Sequence, residues 1–241
     1  MKRKIFVSDK FDPEGIQKLK ESPIFDVIYE NGCDRARLLE LIGEADGLII
    51  RSATKVDQEV IEKARNLKVV IRAGVGVDNI DIPEASRRGI IVMNSPGGNS
   101  VSTAEHAIAM MMSLARNIPR ASMSMKAGKW EKSKFTGIEL TGKTLGVVGL
   151  GRIGKEVVRR AKALRMKVLG FDPFIPPENL AHLEIDIVSA QDLIANSDFI
   201  TVHTPLTETT KNFINKNNLD KLKKGVRLIN CARGGIYEEE A

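Results

Sequence analysis

Cysteine is scarce: the 241-residue chain holds 2, Cys33 and Cys231, far apart and in unrelated contexts. That excludes a disulfide framework and a thiolate metal site, and it fits a reducing compartment. No apolar run approaches the roughly 20 residues that a bilayer-spanning helix needs. The opening MKRKIFVSD begins basic, but Ser8 and Asp9 end its apolar stretch too early for a secretory signal. A soluble cytoplasmic protein with no membrane partner is therefore expected. A large surplus of one charge sign is also missing, since 37 Lys and Arg face 31 Asp and Glu for a net charge of +6. The one dense basic zone, residues 155–167, carries Val157, Val158, Ala161 and Leu164 at helical spacing. Its cations read as a solvated helix face, so no nucleic-acid partner is expected. Histidine is limited to 3 positions, His106, His182 and His203. No cluster has the spacing of a metal site, and none is expected.

What is present is ordinary globular material, 42% hydrophobic and 28% charged, enough for a core in each of one or two domains. Short β-branched runs alternate with amphipathic stretches over the first hundred residues. Strands are expected at 4–8, 25–29, 47–50, 69–71 and 90–93. Helices are expected from Pro13 to residue 20, around Leu38, Leu39 and Ile42, and over 57–63 and 82–87. Such alternation implies a parallel sheet covered on both faces. Pro96-Gly97-Gly98-Asn99 marks a turn. The next helix, 101–116, is apolar almost all round and is expected to be buried on every side. Residues 119–140 read as an irregular exposed arm. A second series follows: a strand at 144–149, a helix at 153–164, and strands at 167–171, 185–188, 199–203 and 226–230. The fold class is α/β, with two doubly wound parallel-sheet domains at 1–98 and 99–241.

Between the strand TLGVVG and the next helix lie Gly149, Gly151 and Gly154 in the pattern G-x-G-x-x-G. The first suits a tight turn, the second a close backbone approach to a pyrophosphate, and the third close packing of helix on strand. A pyrophosphate there would meet the helix N-terminus at Arg152 and Ile153, where unpaired N–H groups and the helix dipole favour an anion. Asp172 ends the following strand, 18 residues after Gly154, close to the spacing of about 20 for an acid that binds ribose hydroxyls. An acid there repels a 2′-phosphate, and Pro173-Phe174 supplies no arginine to hold one. The expected cofactor is NAD, in a Rossmann domain.

Several segments together resemble the D-isomer-specific 2-hydroxyacid dehydrogenases, most closely their phosphoglycerate-oxidising branch. They are IRSATKV (50–56), RAGVGVDNI (72–80), VMNSPGGNS (92–100), GKW (128–130), LTGKTLGVVGLGRIG (140–154), DFITVHTPL (198–206) and KGVRLINCARGGI (224–236). The resemblance implies a flavodoxin-like substrate domain followed by the NAD-binding Rossmann domain. It implies that Arg233 is the catalytic arginine, suited to hold a carboxylate or polarise a ketone through paired hydrogen bonds. His203, Thr204, Pro205, Cys231 and Ala232 would line the cofactor. Gly74, Val75 and Gly76 would receive the substrate carboxylate, with Val75 standing where some relatives have threonine. Arg51, Ser52 and Asn99 would approach the substrate, Arg51 at its phosphate. Residue types alone leave alternatives open: Arg51 and Arg72 also suit surface positions at strand ends, and His203 also suits a hydrogen-bonded core position.

The family reaction needs a histidine to move a proton at the substrate oxygen and a glutamate to hold it. None of the three histidines matches that motif, so both groups are expected beyond Ala241 in a longer protein. Residues 238–240 then read as the first turn of a helix. The expected parent activity is oxidation of 3-phospho-D-glycerate to 3-phosphohydroxypyruvate with NAD, the entry to serine biosynthesis, in a homodimer or homotetramer. The 241 residues by themselves are expected to be inactive. The alternatives are a glyoxylate or hydroxypyruvate reductase, and a non-catalytic NAD-sensing protein of the corepressor type.

Overall fold

The computed structural model describes residues 2–241. The chain divides into two compact units, Met1–Asn99 and Ser100–Ala241.

In the first unit, β1 (Arg3–Val7), β2 (Phe25–Tyr29), β3 (Gly47–Ile50), β4 (Val69–Arg72) and β5 (Ile91–Asn94) form one sheet in the order β2-β1-β3-β4-β5. Every pair is parallel, and the order is that of flavodoxin-like folds. The helices are α1 (Pro13–Glu21), α2 (Arg35–Leu41), α3 (Gln58–Lys63) and α4 (Ile82–Arg87). Asp12, Asp34, Asp57 and Asp81 each cap one of them through backbone N–H groups of the first turn. Central β3 is buried throughout. Its alternation sends Leu48 and Ile50 into a core with Phe6, Leu38, Val60 and Ile61, and Ile49 to the opposite face with Val7 and Ile16.

The second unit opens with α5 (Ser100–Arg116) and α6 (Ile118–Lys126). Its sheet contains β6 (Thr144–Val148), β7 (Lys167–Phe171), β8 (Asp186–Ile187), β9 (Phe199–Val202) and β10 (Arg227–Asn230), with α7 (Arg152–Ala163) and α8 (Ala190–Asn196) between strands. The order β10-β9-β6-β7-β8, parallel throughout, corresponds to five of the six strands of the dinucleotide-binding arrangement. Leu145, Val147 and Phe199 face α5 and α7, while Val148, Ile200 and Val202 face the α8 side. Helices thus cover both faces, and the strand ends nearest the glycine loop stay at one edge.

Two expectations need correction. Helix α5 is not buried on every side: Ala104, Ala107, Met111 and Ala115 are covered, whereas Val101, Met110 and Leu114 are 50%, 44% and 41% exposed. His106 also lies on the exposed side. Apolar composition fixes how much surface seeks cover, and within this chain only one face finds it. Residues 118–126 are helical, not irregular; none of α6 is buried, so no apolar stripe announced it. The glutamates at the end form a single turn in which Ala241 N donates to Glu238 O at 3.1 Å. Glu238 also donates its N–H to Ile214 O at 2.9 Å and accepts the Lys216 N–H at 2.9 Å, which draws the segment onto the loop before it.

Candidate functional site

Strand β6 ends at Val148 and the chain turns at Gly149, with φ +89°, a region that side-chain-bearing residues rarely adopt. A Cβ at Gly149 would stand 2.8 Å from both the His203 carbonyl carbon and Thr204 Cγ2. One at Gly154 would stand 2.0 Å from the Gly149 carbonyl oxygen, so α7 packs directly on the turn. Gly151 differs: a Cβ there meets nothing within 4 Å, and the turn is open at that point. Gly151 is also the N-cap of α7, which no side chain caps and whose first turn holds no acid. Arg152 and Ile153 begin the helix behind it. The uncapped start of a 12-residue helix, open at its glycine, suits an anionic group approaching the backbone.

Asp172, just past β7, is tied to this loop. Its Oδ2 accepts the Leu150 N–H at 2.6 Å, and its Oδ1 accepts from Phe174 N at 2.7 Å and Ile175 N at 3.0 Å. The carboxylate is therefore held beside the helix start by backbone on both sides. A cavity of about 420 Å³ opens next to it, lined in part by Val148, Phe171, Pro173, Thr209, Thr210 and Phe213. Sequence reasoning missed this cavity. The hydroxyl-rich run after Pro205 was its one available signal, because Thr210 Oγ1 binds Pro205 O and Thr207 N and shapes the loop.

His203, Thr204 and Pro205 follow β9 at the same edge. Among the described residues, His203 Nδ1 and Thr204 Oγ1 are buried polar atoms without a hydrogen-bond partner, which a bound polar ligand would relieve. His203 Nε2 pairs with Thr201 Oγ1 at 3.0 Å. Burial pushes the imidazole down to about 4, so it is neutral near pH 7 and unsuited to donate a proton. Past β10, Asn230 shapes the turn that carries Cys231, Ala232 and Arg233: its Oδ1 accepts Ala232 N at 3.0 Å and its Nδ2 donates to Arg233 O at 2.7 Å. Burial raises the Cys231 thiol and keeps it protonated. The three glycines, Asp172, Thr204 and Arg233 thus share the carboxyl edge of one parallel sheet, where such sheets bind ligands.

In the first unit, Arg51 and Ser52 follow β3 and are exposed. The 74–76 loop follows β4, and each of its carbonyl oxygens is engaged within the unit. Gly74 O accepts Ser95 N at 2.9 Å, Val75 O accepts Asn94 Nδ2 at 2.6 Å, and Gly76 O accepts Arg72 Nη1. The Gly74 N–H is itself donated to Arg72 O at 2.8 Å, so the N–H groups the loop is suited to offer are those of Val75 and Gly76. Asn94, which sequence reasoning passed over, touches this loop; Asn99 stands five positions later at the end of the unit. His182 is exposed on a 3₁₀ turn at Pro177–Leu183, far in sequence from these groups.

Residues 108–241 match the family model described as D-isomer specific 2-hydroxyacid dehydrogenase, NAD binding domain. A D-3-phosphoglycerate dehydrogenase of Archaeoglobus fulgidus is 49% identical over 238 residues, which is 99% of this chain and 45% of that protein. The chain therefore spans less than half the length of this curated relative. Among solved structures, the TT0316 protein from Thermus thermophilus is similar with a TM-score of 0.90 and 32% identity, over 98% of this chain and 76% of the other. The NAD+-bound 3-phosphoglycerate dehydrogenase of Entamoeba histolytica is similar with a TM-score of 0.82 and 34% identity, over 100% of this chain and 75% of the other. The matched unit, with its glycine loop and Asp172 at one sheet edge, is an NAD(P)-binding domain, and the chain belongs to the D-isomer specific 2-hydroxyacid dehydrogenase family.

Proposed function

We propose that this chain binds NAD in preference to NADP and takes a phosphorylated 2-hydroxy acid, 3-phosphoglycerate, as its substrate. The observation that carries the cofactor preference is the Asp172 carboxylate, fixed beside the glycine loop through Leu150. A carboxylate there accepts ribose hydroxyls and repels a 2′-phosphate. The pyrophosphate lies against the start of α7 at Gly151, Arg152 and Ile153, and the cavity beside Pro173 accommodates the adenine end. Thr204, Pro205, Cys231 and Ala232 enclose the remainder, with Thr204 Oγ1 and His203 Nδ1 as the polar atoms awaiting a partner. When bound, the nicotinamide supplies the two-electron acceptor for oxidation of the alcohol.

The chain's own residues bind and orient the substrate. In the first unit the N–H groups of Val75 and Gly76, next to Gly74, suit a carboxylate, and Arg51 with Ser52 and Asn99 suits a phosphate; in the second, Arg233 suits a carboxylate or the oxygen being oxidised. The 49% identity to a relative named D-3-phosphoglycerate dehydrogenase supports the phosphorylated substrate, and with it a place at the entry to serine synthesis in the cytoplasm. No imidazole among the described residues is suited to take the hydroxyl proton: His106 and His182 are exposed, and His203, pushed down to about 4 by burial, is a weak base whose Nε2 is already paired with Thr201. These 241 residues therefore bind both ligands but do not turn over until a proton-transferring group is supplied. The apolar side of α5 left bare, with exposed Met123, Met125 and Trp130 after it, is the contact for a second copy in a homodimer.

Calorimetry in saturating NAD tests the substrate, with 3-phosphoglycerate, D-glycerate and glyoxylate titrated in turn. The phosphorylated acid should bind tightest. Equal or tighter binding of glyoxylate would favour a glyoxylate or hydroxypyruvate reductase instead.

A further inference from the structure

Arg51, Ser52 and Ala53 are exposed, yet Thr54, the next residue, is buried. The stretch leaves β3 without regular secondary structure, so its shape depends on whatever side chains grip it. Asp9 grips it from one side. This carboxylate, just past β1 and only 4% exposed, accepts the Arg51 N–H on Oδ2 and the Thr54 N–H on the same oxygen at 3.3 Å. Its Oδ1 accepts the Thr54 hydroxyl at 3.0 Å, and that hydroxyl is paired in turn with Ser8 Oγ at 2.8 Å. Asn79 grips the same stretch from the other side: its Nδ2 donates to Arg51 O at 2.8 Å and to Thr54 O at 2.6 Å. Both peptide groups of both residues are thereby held, and the residues between them can only arch outward.

Asn79 is itself anchored. Its backbone carbonyl accepts Val56 N at 2.8 Å, beside a parallel bridge between Val56 and Ile80. It also belongs to the segment that contains Gly74–Gly76, so one amide couples the two loops at the ends of β3 and β4. A long exposed arginine on a slack loop loses conformational freedom when it binds, and that loss subtracts from affinity. A loop already fixed by one buried and one half-buried polar side chain avoids most of it.

We propose that Asp9 and Asn79 are positioning residues that clamp the 51–54 loop in the shape that presents Arg51 to the substrate phosphate, and that discrimination between phosphorylated and unphosphorylated acids depends on this clamp. The proposal rests on the reading of Arg51 as the phosphate partner. Asp9→Asn keeps the shape of the side chain but turns an amide donor toward N–H groups. Asn79→Asp sets carboxylate oxygens against carbonyls. Thr54→Val keeps volume and removes one grip, and it serves if either of the others fails to fold.

The experiment uses the full 241-residue chain with saturating NAD. Calorimetric affinities for 3-phosphoglycerate and D-glycerate are combined with amide hydrogen exchange at Arg51 and Thr54. The clamp variants should weaken 3-phosphoglycerate by about tenfold or more, the scale of a lost charge-assisted hydrogen bond, and speed exchange at both amides. Affinities for D-glycerate and NAD should stay put; Thr54→Val should move in the same direction by less. Equal losses for both acids would mean a merely structural role and would overturn the proposal. So would faster exchange with the preference for the phosphorylated acid intact. Arg51→Ala separates the two readings. If it abolishes the preference while Asp9→Asn does not, the clamp fails alone; if it leaves the preference untouched, the phosphate assignment fails and takes the clamp's purpose with it.

Discussion

Gly154→Ala would place a methyl carbon 2.0 Å from the Gly149 carbonyl oxygen, well inside van der Waals contact. The obstacle is backbone, so no side-chain rotation relieves it, and α7 must move away from the turn after β6. Overpacking of this kind costs about 1–3 kcal/mol, and a close backbone clash belongs at the upper end. Alanine returns about 1 kcal/mol through its better helix propensity. The expected net loss is about 2 kcal/mol, and at roughly 2–4 °C for each kcal/mol the melting temperature should fall by roughly 4–8 °C. Gly151→Ala is the control, because its methyl meets nothing within 4 Å. It should leave stability unchanged while weakening NAD, whose pyrophosphate needs that approach. Thermal melts by circular dichroism and NAD titration of both variants give the readings. A Gly154→Ala protein as stable as the parent would refute the packing argument, and a Gly151→Ala protein with undiminished NAD affinity would refute the assignment of the open face.

His203 titrates at about 4 in the folded chain because burial disfavours its charged form. Unfolded, it protonates near 6.5, so its contribution to stability is complete above about pH 6.5 and is lost progressively as pH falls towards 4. The full loss is on the order of 3 kcal/mol. Urea titrations between these pH values should show His203→Gln with a flatter profile than the parent; parallel profiles would contradict the assignment. Arg233→Ala should weaken 3-phosphoglycerate by about 10-fold or more through loss of a charge-assisted pair without changing the melting temperature, and calorimetry with a melt checks both halves. If the bare side of α5 and the α6 arm pair with a second copy, light scattering should show a dimer, and Met110→Glu with Leu114→Glu should dissociate it. A monomer at every concentration would remove that proposal.

Sequence pattern revealed most of the fold where burial imposes a period. Strands at 25–29, 47–50 and 167–171 and the helix at 82–87 form with the expected bounds, because strands announce themselves through short β-branched and aromatic runs, even at the half-buried edge formed by 25–29, and the helix through its Asp cap. Helix α6 did not, since it buries no residue, and α8, with Leu193 and Ile194 as its buried pair in seven residues, is too short to show a period. Of the candidate site, the glycine loop was legible because Gly149 and Gly154 answer steric demands of the backbone while Gly151 leaves the turn open, and Asp172 because it ends the next strand at the spacing that the loop calls for. The grip of Asp9 on residues 42 and 45 positions away, and the cavity beside Pro173, were not. Both depend on strand order, which brings distant ends of the chain to one edge, and no local pattern encodes that.

The measurement that bears most directly on the account is a calorimetric titration of the 241-residue chain with NAD and with NADP. NAD should bind one equivalent and bind more tightly than NADP, and Asp172→Ala should narrow the gap by weakening NAD and relieving the repulsion of the 2′-phosphate. Equal affinities for the two dinucleotides, or a gap that survives Asp172→Ala, would contradict the assignment of Asp172 to the ribose hydroxyls.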